Sequence, residues 1–129
     1  MKMILLADTS QTRRRALTAV LSQSGFGVSA VASLAEAYDA LQRAQFGIDN
    51  LDAVVLGWPE YSEGVAEDVF GLLHGERFEH LPVLVMADSS NANAVNWRMS
   101  RPRTALTFWA EYLEAPSAID QLLRPNQSV

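Results

Sequence analysis

Ala53-Val54-Val55-Leu56-Gly57-Trp58-Pro59 is the stretch from which the fold of this chain can be read. Four apolar residues in succession, entered from Asp52 and left through Gly-Trp-Pro, describe a strand buried on both faces, not the alternating pattern of a half-solvated one. Such a strand belongs inside a sheet that carries helices on each side. In open α/β sheets the chemistry gathers just beyond the carboxyl ends of the strands. At that end stands Gly57, which has no side chain to offer.

Outward from this strand the chain alternates between strand and helix signals. Ile4 to Ala7 is a buried strand ending at Asp8. Thr9-Ser10-Gln11-Thr12 supplies helix caps, and the helix that follows runs to about Ser24 with Leu17, Val20 and Leu21 on one face. Arg13, Arg14 and Arg15 in its first turn oppose the helix dipole, as a solvated face or as a contact for an anion or a partner. Gly25-Phe26-Gly27 stops the helix, and Val28 to Ala32 is a second strand. Ser33 and Glu36 have the spacing of a capping box, and Leu34, Ala37, Tyr38 and Leu41 continue at helical intervals to about Gln45.

Past the central strand, Trp58 to Gly64 reads as a loop and Val65 to His74 as a helix, with Val65, Val69, Leu72 and Leu73 on its apolar face. Leu81 to Ala87 is a fourth buried strand, with Pro82 tolerable at its start. The spacing predicts a helix from about Arg101 to Trp109, capped by Ser100, then a fifth strand over Glu111 to Glu114 and a last helix through Ile119, Leu122 and Leu123. Strands alternating with helices imply right-handed crossovers and a parallel sheet. The expected fold is α/β: a flavodoxin-like (βα)5 three-layer sandwich with strand order 2-1-3-4-5.

A chain of 129 residues, 49% of them hydrophobic, supports one core and one domain. With no cysteine it has neither disulfides nor thiolate metal ligands. No apolar run is long enough to cross a membrane, and the apolar start Met1 to Ala7 is short and broken by Asp8, unlike a signal peptide. The net charge of -5 disfavours nucleic acid and anionic lipid for the chain as a whole. These features lead us to expect a cytoplasmic protein with neither membrane nor direct nucleic-acid contacts.

Few residues offer chemistry. His74 and His80 lack the spacing of two ligands on one helical face. There is no Gly-x-Ser-x-Gly elbow, and no glycine-rich phosphate loop follows the first strand. Trp97-Arg98-Met99-Ser100-Arg101-Pro102-Arg103 interleaves cations with an aromatic, which in an acidic chain points to a protein partner. Phe108, Trp109 and Tyr112 continue that trend, although each could equally be core.

In sum the chain resembles the receiver domain of two-component response regulators (CheY-like), from about Met3 to Leu123. The likeness is carried by Ile4-Leu5-Leu6-Ala7-Asp8, Ala53-Val54-Val55-Leu56, Pro59 and Gly64, Leu81-Pro82-Val83-Leu84-Val85-Met86, Tyr112-Leu113-Glu114-Ala115-Pro116 and Leu122. The resemblance implies a phosphoacceptor aspartate at the end of the third strand, where this chain has Gly57. It implies a pair of acids after the first strand, where Asp8 is followed by Thr9. It implies Ser or Thr at the end of the fourth strand, where Ala87 stands, and Lys before the proline after the fifth, where Ala115 stands. Magnesium needs several oxygen ligands and phosphoryl transfer needs positioned opposite charge, so these losses together describe a degenerate receiver. Asp8 and Asp88 are the only weak candidates for a cation site.

The resulting expectation is a non-enzymatic, cofactor-free signalling module over residues 3–124, with 125–129 as a tail or the start of a linker to an output domain. It would act without phosphorylation, by dimerisation or by docking a protein partner. The resemblance implies the fourth-helix, fifth-strand and fifth-helix face, with Trp97, Arg101, Arg103, Phe108, Trp109 and Tyr112 as candidate interface residues. One alternative is a small-ligand sensor using the vacated pocket of Asp8, Thr9, Gly57, Trp58, Ala87 and Ala115. Another is the N-terminal regulatory domain of a transcription activator or a cyclic-dinucleotide enzyme.

Overall fold

A computed structural model describes residues 1–47, 50–58, 64–88 and 92–124; Pro59 and the 125–129 tail lie outside them. The apolar runs form five parallel strands: β1 (Met3–Ala7), β2 (Gly27–Val31), β3 (Ala53–Gly57), β4 (Val83–Ala87) and β5 (Thr104–Phe108). Their order in the sheet is β2-β1-β3-β4-β5, the flavodoxin-like arrangement expected from sequence. Five helices complete the chain: α1 (Gln11–Gln23), α2 (Leu34–Gln45), α3 (Gly64–His74), α4 (Ala92–Met99) and α5 (Ala115–Leu123). A 3-10 segment, Trp109–Glu114, joins β5 to α5.

Both faces of the sheet are covered, which explains why its central strands show no polar alternation. Ile4, Leu6, Val55, Leu84 and Met86 pack against Leu17 and Leu21 of α1 and Ala115 and Ile119 of α5. Leu5, Val54, Leu56, Val83 and Val85 face the other way, against residues of α2, α3 and α4 that include Leu41, Val69, Leu73 and Ala94. Val54, Val55 and Leu56 are at most 1% exposed, and burial of each is worth about 2 kcal/mol.

Local signals set the element ends. Ser10 caps α1, its hydroxyl accepting from the Arg13 N–H at 3.3 Å, and Gly25 with φ of 93° carries the chain out of that helix. Ser33 caps α2 by accepting from the Glu36 N–H at 3.2 Å, while Glu36 reaches back to accept from the Ala32 N–H at 2.7 Å. At the other end of the sheet, Asp52 accepts from the Met3 N–H at 2.7 Å and ties the start of β3 to β1.

The last third of the chain differs from expectation. The fourth helix is Ala92–Met99, and the fifth strand is Thr104–Phe108, where a helix was predicted. The segment expected as a strand, Glu111 to Glu114, lies in the 3-10 segment. Thr104, Thr107 and Phe108 suit a pleated edge, but Pro102 and the spacing of apolar residues imitate a helix start. The tertiary cause is Arg101. The residue is 4% exposed, its side chain turned inward and not out from a surface helix into solvent. It donates from Nε to the Leu73 carbonyl at 2.8 Å, from Nη2 to the Phe78 carbonyl and to the Leu81 carbonyl at 2.6 Å, and from Nη1 to Thr104 Oγ1 at 2.9 Å. Arg103 then turns the chain into β5 with φ of 53°, its own carbonyl accepting from the Val83 N–H.

Arg101 therefore gathers the end of α3, the turn before β4 and the start of β5 around one buried cation. Burial lowers its pKa to about 10, which still leaves it charged at neutral pH. Replacement of Arg101 by Met leaves these buried carbonyls without donors and lowers stability by about 2–4 kcal/mol. Urea unfolding checks this: the midpoint falls while the slope is unchanged.

Candidate functional site

The register of the sheet fixes the geometry of the site. Ala7 pairs with Leu56 and Gly57 with Met86, so Asp8 lies beside Gly57 at the carboxyl ends of the central strands. A Cβ at position 57 would stand 2.0 Å from Asp8 Oδ2, 2.7 Å from its Cγ and 3.2 Å from its Cβ. The Asp8 side chain thus fills the space that any larger residue at 57 would claim. Its Oδ1 accepts from the Ser10 N–H at 2.7 Å, and its carbonyl accepts from Arg14 Nη1 at 2.7 Å. Asp8 is 6% exposed. Burial raises its pKa above the usual carboxylate value, against the opposing pull of the Ser10 N–H and of the Arg13 and Arg14 charges.

A second charge stands near this carboxylate. Arg13, on the first turn of α1, places Nη2 3.6 Å from Asp88 Oδ1, just past β4. The same guanidinium lies over the ring of Trp109, just past β5, with Cζ 4.8 Å from the centroid. An arginine that opposes its own helix dipole is thereby given a carboxylate and an aromatic face.

The other expected pocket residues divide. Ala87 is buried at the end of β4, beside Phe108. Thr9 is exposed. Ala115 does not follow the fifth strand: it opens α5 and packs in the core with Ile4 and Leu6. With β5 ending at Phe108, the residue after it is Trp109. Trp58 is stacked on Phe70, with ring centroids 5.2 Å apart, and Trp97 covers the pair at 6.2 and 4.9 Å. The space beside Gly57 is occupied by the Asp8 side chain, and Trp58 is engaged in the ring cluster with Phe70 and Trp97.

This donor set does not fit magnesium. The cation needs near-octahedral oxygen and usually at least one freely offered carboxylate. Asp8 is engaged by Ser10 and turned toward Gly57, while Asp88, its side chain 71% exposed, lies 3.6 Å from the Arg13 guanidinium. Among the described residues no group of three or more His, Asp or Glu could hold a metal ion. His74 bonds instead to the Phe70 carbonyl and Ser100 Oγ. A groove of about 700 Å³ between α2 and α3, lined by Tyr38, Asp68, Leu72 and Phe78 among others, contains none of the expected pocket residues.

The candidate interface residues are also redistributed. Arg101 is interior, as described above. Arg103 donates through Nη2 to the Leu122 carbonyl and so ties β5 to α5. Trp97, Phe108, Trp109 and Tyr112 are half-buried; Trp109 and Tyr112 lie against the α1–α5 side of the core. Leu113, in the 3-10 segment, is 68% exposed, a position that the sequence pattern does not mark. Its exposure follows from the turn that replaced the expected strand. Among the described residues no helix is long and apolar enough to cross a membrane.

Solved structures share this architecture. The chemotaxis protein CheY4 of Vibrio cholerae superposes with a TM-score of 0.76 at 16% identity, over 96% of this chain and 99% of that one. A response regulator receiver domain protein from Clostridium thermocellum gives 0.75 at 15% identity, over 95% and 94%. A response regulator receiver protein from Sinorhizobium medicae gives 0.69 at 23% identity, over 95% and 94%. No protein-family model matches the chain, and no curated protein matches it by sequence. The chain has the fold of response regulator receiver domains.

Two outcomes follow from the Asp8–Gly57 contact. Gly57→Ala lowers stability by about 1–3 kcal/mol, because the new methyl group displaces a carboxylate already held by Ser10. In an Asp8→Gly background the same substitution is close to neutral, and a double-mutant cycle by thermal or urea unfolding checks the coupling. Asp8→Asn retains an oxygen for the Ser10 N–H and removes the buried charge. Since the folded pKa of Asp8 lies above its ordinary 3.8, the cost of that charge is absent below 3.8 and is imposed as pH rises through the folded value. Asp8→Asn is therefore more stable than wild type at neutral pH, and the difference closes on acidification.

Proposed function

We propose that this chain is a receiver-type signalling module that acts through protein contacts and not through phosphoryl transfer. The observation that carries the reading is the tip of β3. The residue there is Gly57, and the carboxylate beside it is turned into the space a side chain at that position would fill. A nucleophilic carboxylate, a metal with open coordination positions and a neutralising cation must converge for phosphoryl transfer to an aspartate. At this tip the one buried carboxylate faces glycine, and the arginine is committed to Asp88 and Trp109.

The module would be neither an enzyme nor a cofactor-binding protein, and would work in the cytoplasm as a regulatory domain over residues 3–124. Its partner would be a protein, including a second copy of itself. The edge formed by α4, β5 and α5 supports that choice, since β5 has only β4 as a neighbour. The protein-contact reading is favoured over the ligand-sensor one because Asp8 fills the space beside Gly57 and Trp58 is already stacked on Phe70.

Incubation with a small-molecule phosphodonor and Mg²⁺, followed by intact-mass measurement, tests the proposal. The expected mass is unchanged. A phosphoryl adduct mapped to Asp8 or Asp88 overturns it. Light scattering over a range of concentrations tests self-association: the expected mass rises from monomer toward dimer, and Leu113→Glu shifts it back if the 3-10 segment borders the contact.

A further inference from the structure

The two arginine contacts at the sheet tip have an implication beyond the loss of phosphoryl chemistry. Three separate connections end near this corner: the entry to α1, the segment after β4 and the segment after β5. In the described structure one side chain touches the last two while belonging to the first. Arg13 reaches Asp88 at 3.6 Å and covers Trp109 at 4.8 Å, with 38% of its side chain exposed. Arg14, next to it, donates to the Asp8 carbonyl at 2.7 Å and so ties the first turn of α1 to the end of β1. The positive charges of Arg13 and Arg14 also act on the Asp8 carboxylate.

We propose that Arg13 is a tethered cation that holds Asp88, just past β4, and Trp109, just past β5, to the first turn of α1 in place of any bound ion. The inference rests on reading the corner as a receiver tip without phosphoryl chemistry, and it names how such a tip is held. A metal ion bridges carboxylates through oxygen and leaves when chelated. A guanidinium on a helix bridges a carboxylate and an aromatic face, and is always charged. Trp109 is essential to the arrangement: an aliphatic residue after β5 would give the arginine no face, and a lysine there would repel it. The corner is accordingly set in one state by covalent sequence, and its 3-10 segment, with Leu113 outward, is presented without a chemical signal.

Hydrogen exchange resolved by NMR tests this on the intact chain, comparing wild type, Arg13→Gln and Trp109→Leu, each first shown to be folded by circular dichroism. In Arg13→Gln, amide exchange rises at Ala87–Asp88 and at Trp109–Tyr112 together, by roughly two- to fivefold, the factor an exposed cation–π contact is worth. In Trp109→Leu, exchange rises at Ala87–Asp88, a segment the substitution does not touch covalently. Wild-type exchange at Asp8, Trp58 and Asp88 is the same with and without millimolar Mg²⁺. The proposal is overturned if Arg13→Gln changes exchange in α1 only, or if Mg²⁺ protects these amides in the wild type. Should Arg13→Gln not fold, Trp109→Leu alone decides between the same outcomes. Neither result depends on whether a phosphodonor modifies the chain, so failure here is separable from failure of the signalling reading.

Discussion

The tip of this sheet is governed by mutual exclusion between Asp8 and whatever stands at position 57. Parallel pairing of β1 with β3 brings the two positions side by side, and the pleat turns both toward the same small volume. A side chain at 57 would have to move Asp8 from the position it holds here, since a Cβ there would stand 2.0 Å from Asp8 Oδ2. With glycine at 57 the carboxylate turns toward that position and accepts from the Ser10 N–H, and Asp8 is buried. That choice sets the neighbours: a buried charge draws compensation, and the arginines of α1 are near enough to supply it. The arrangement at the tip thus descends from the absence of a single Cβ.

The opposite end of the sheet is held by another charge. Arg101 lies interior with its guanidinium shared among carbonyls of the α3–β4 connection and the threonine that opens β5. A planar donor fork can satisfy several irregular carbonyls at once, which apolar packing cannot. Cation and carboxylate therefore divide the labour. Arg101 determines where β5 begins, and the Asp8 corner determines what the far ends of the strands present.

Much of this is legible in the sequence. Buried strands with unbroken apolar runs, β1, β3 and β4, announce themselves, and their helices carry caps at Ser10 and Ser33 and a stop at Gly25. Gly57 at the strand tip was legible for the same reason. The C-terminal third was not. Thr104 to Phe108 lies on an edge and is only partly buried apart from Thr107, so no long apolar run marks it. Arg101 in sequence is one cation in a basic stretch, and only the oxygens of Leu73, Phe78, Leu81 and Thr104 around it reveal an interior residue. The Arg13–Trp109 contact joins residues 96 positions apart, and periodicity carries no information about such pairs. The misplaced fifth strand also misplaced Ala115, because a pocket position was counted from a strand that is a 3-10 turn.

The central claim is that the Asp8 side chain occupies the side-chain space of position 57. A nuclear Overhauser measurement on the labelled protein reads it directly, between the Gly57 α protons and the Asp8 β protons. The account predicts a strong, selective cross-peak to one of the two Gly57 α protons, the one that points where a Cβ would lie. Its absence, with the Asp8 β protons close to solvent-facing neighbours instead, would contradict the account.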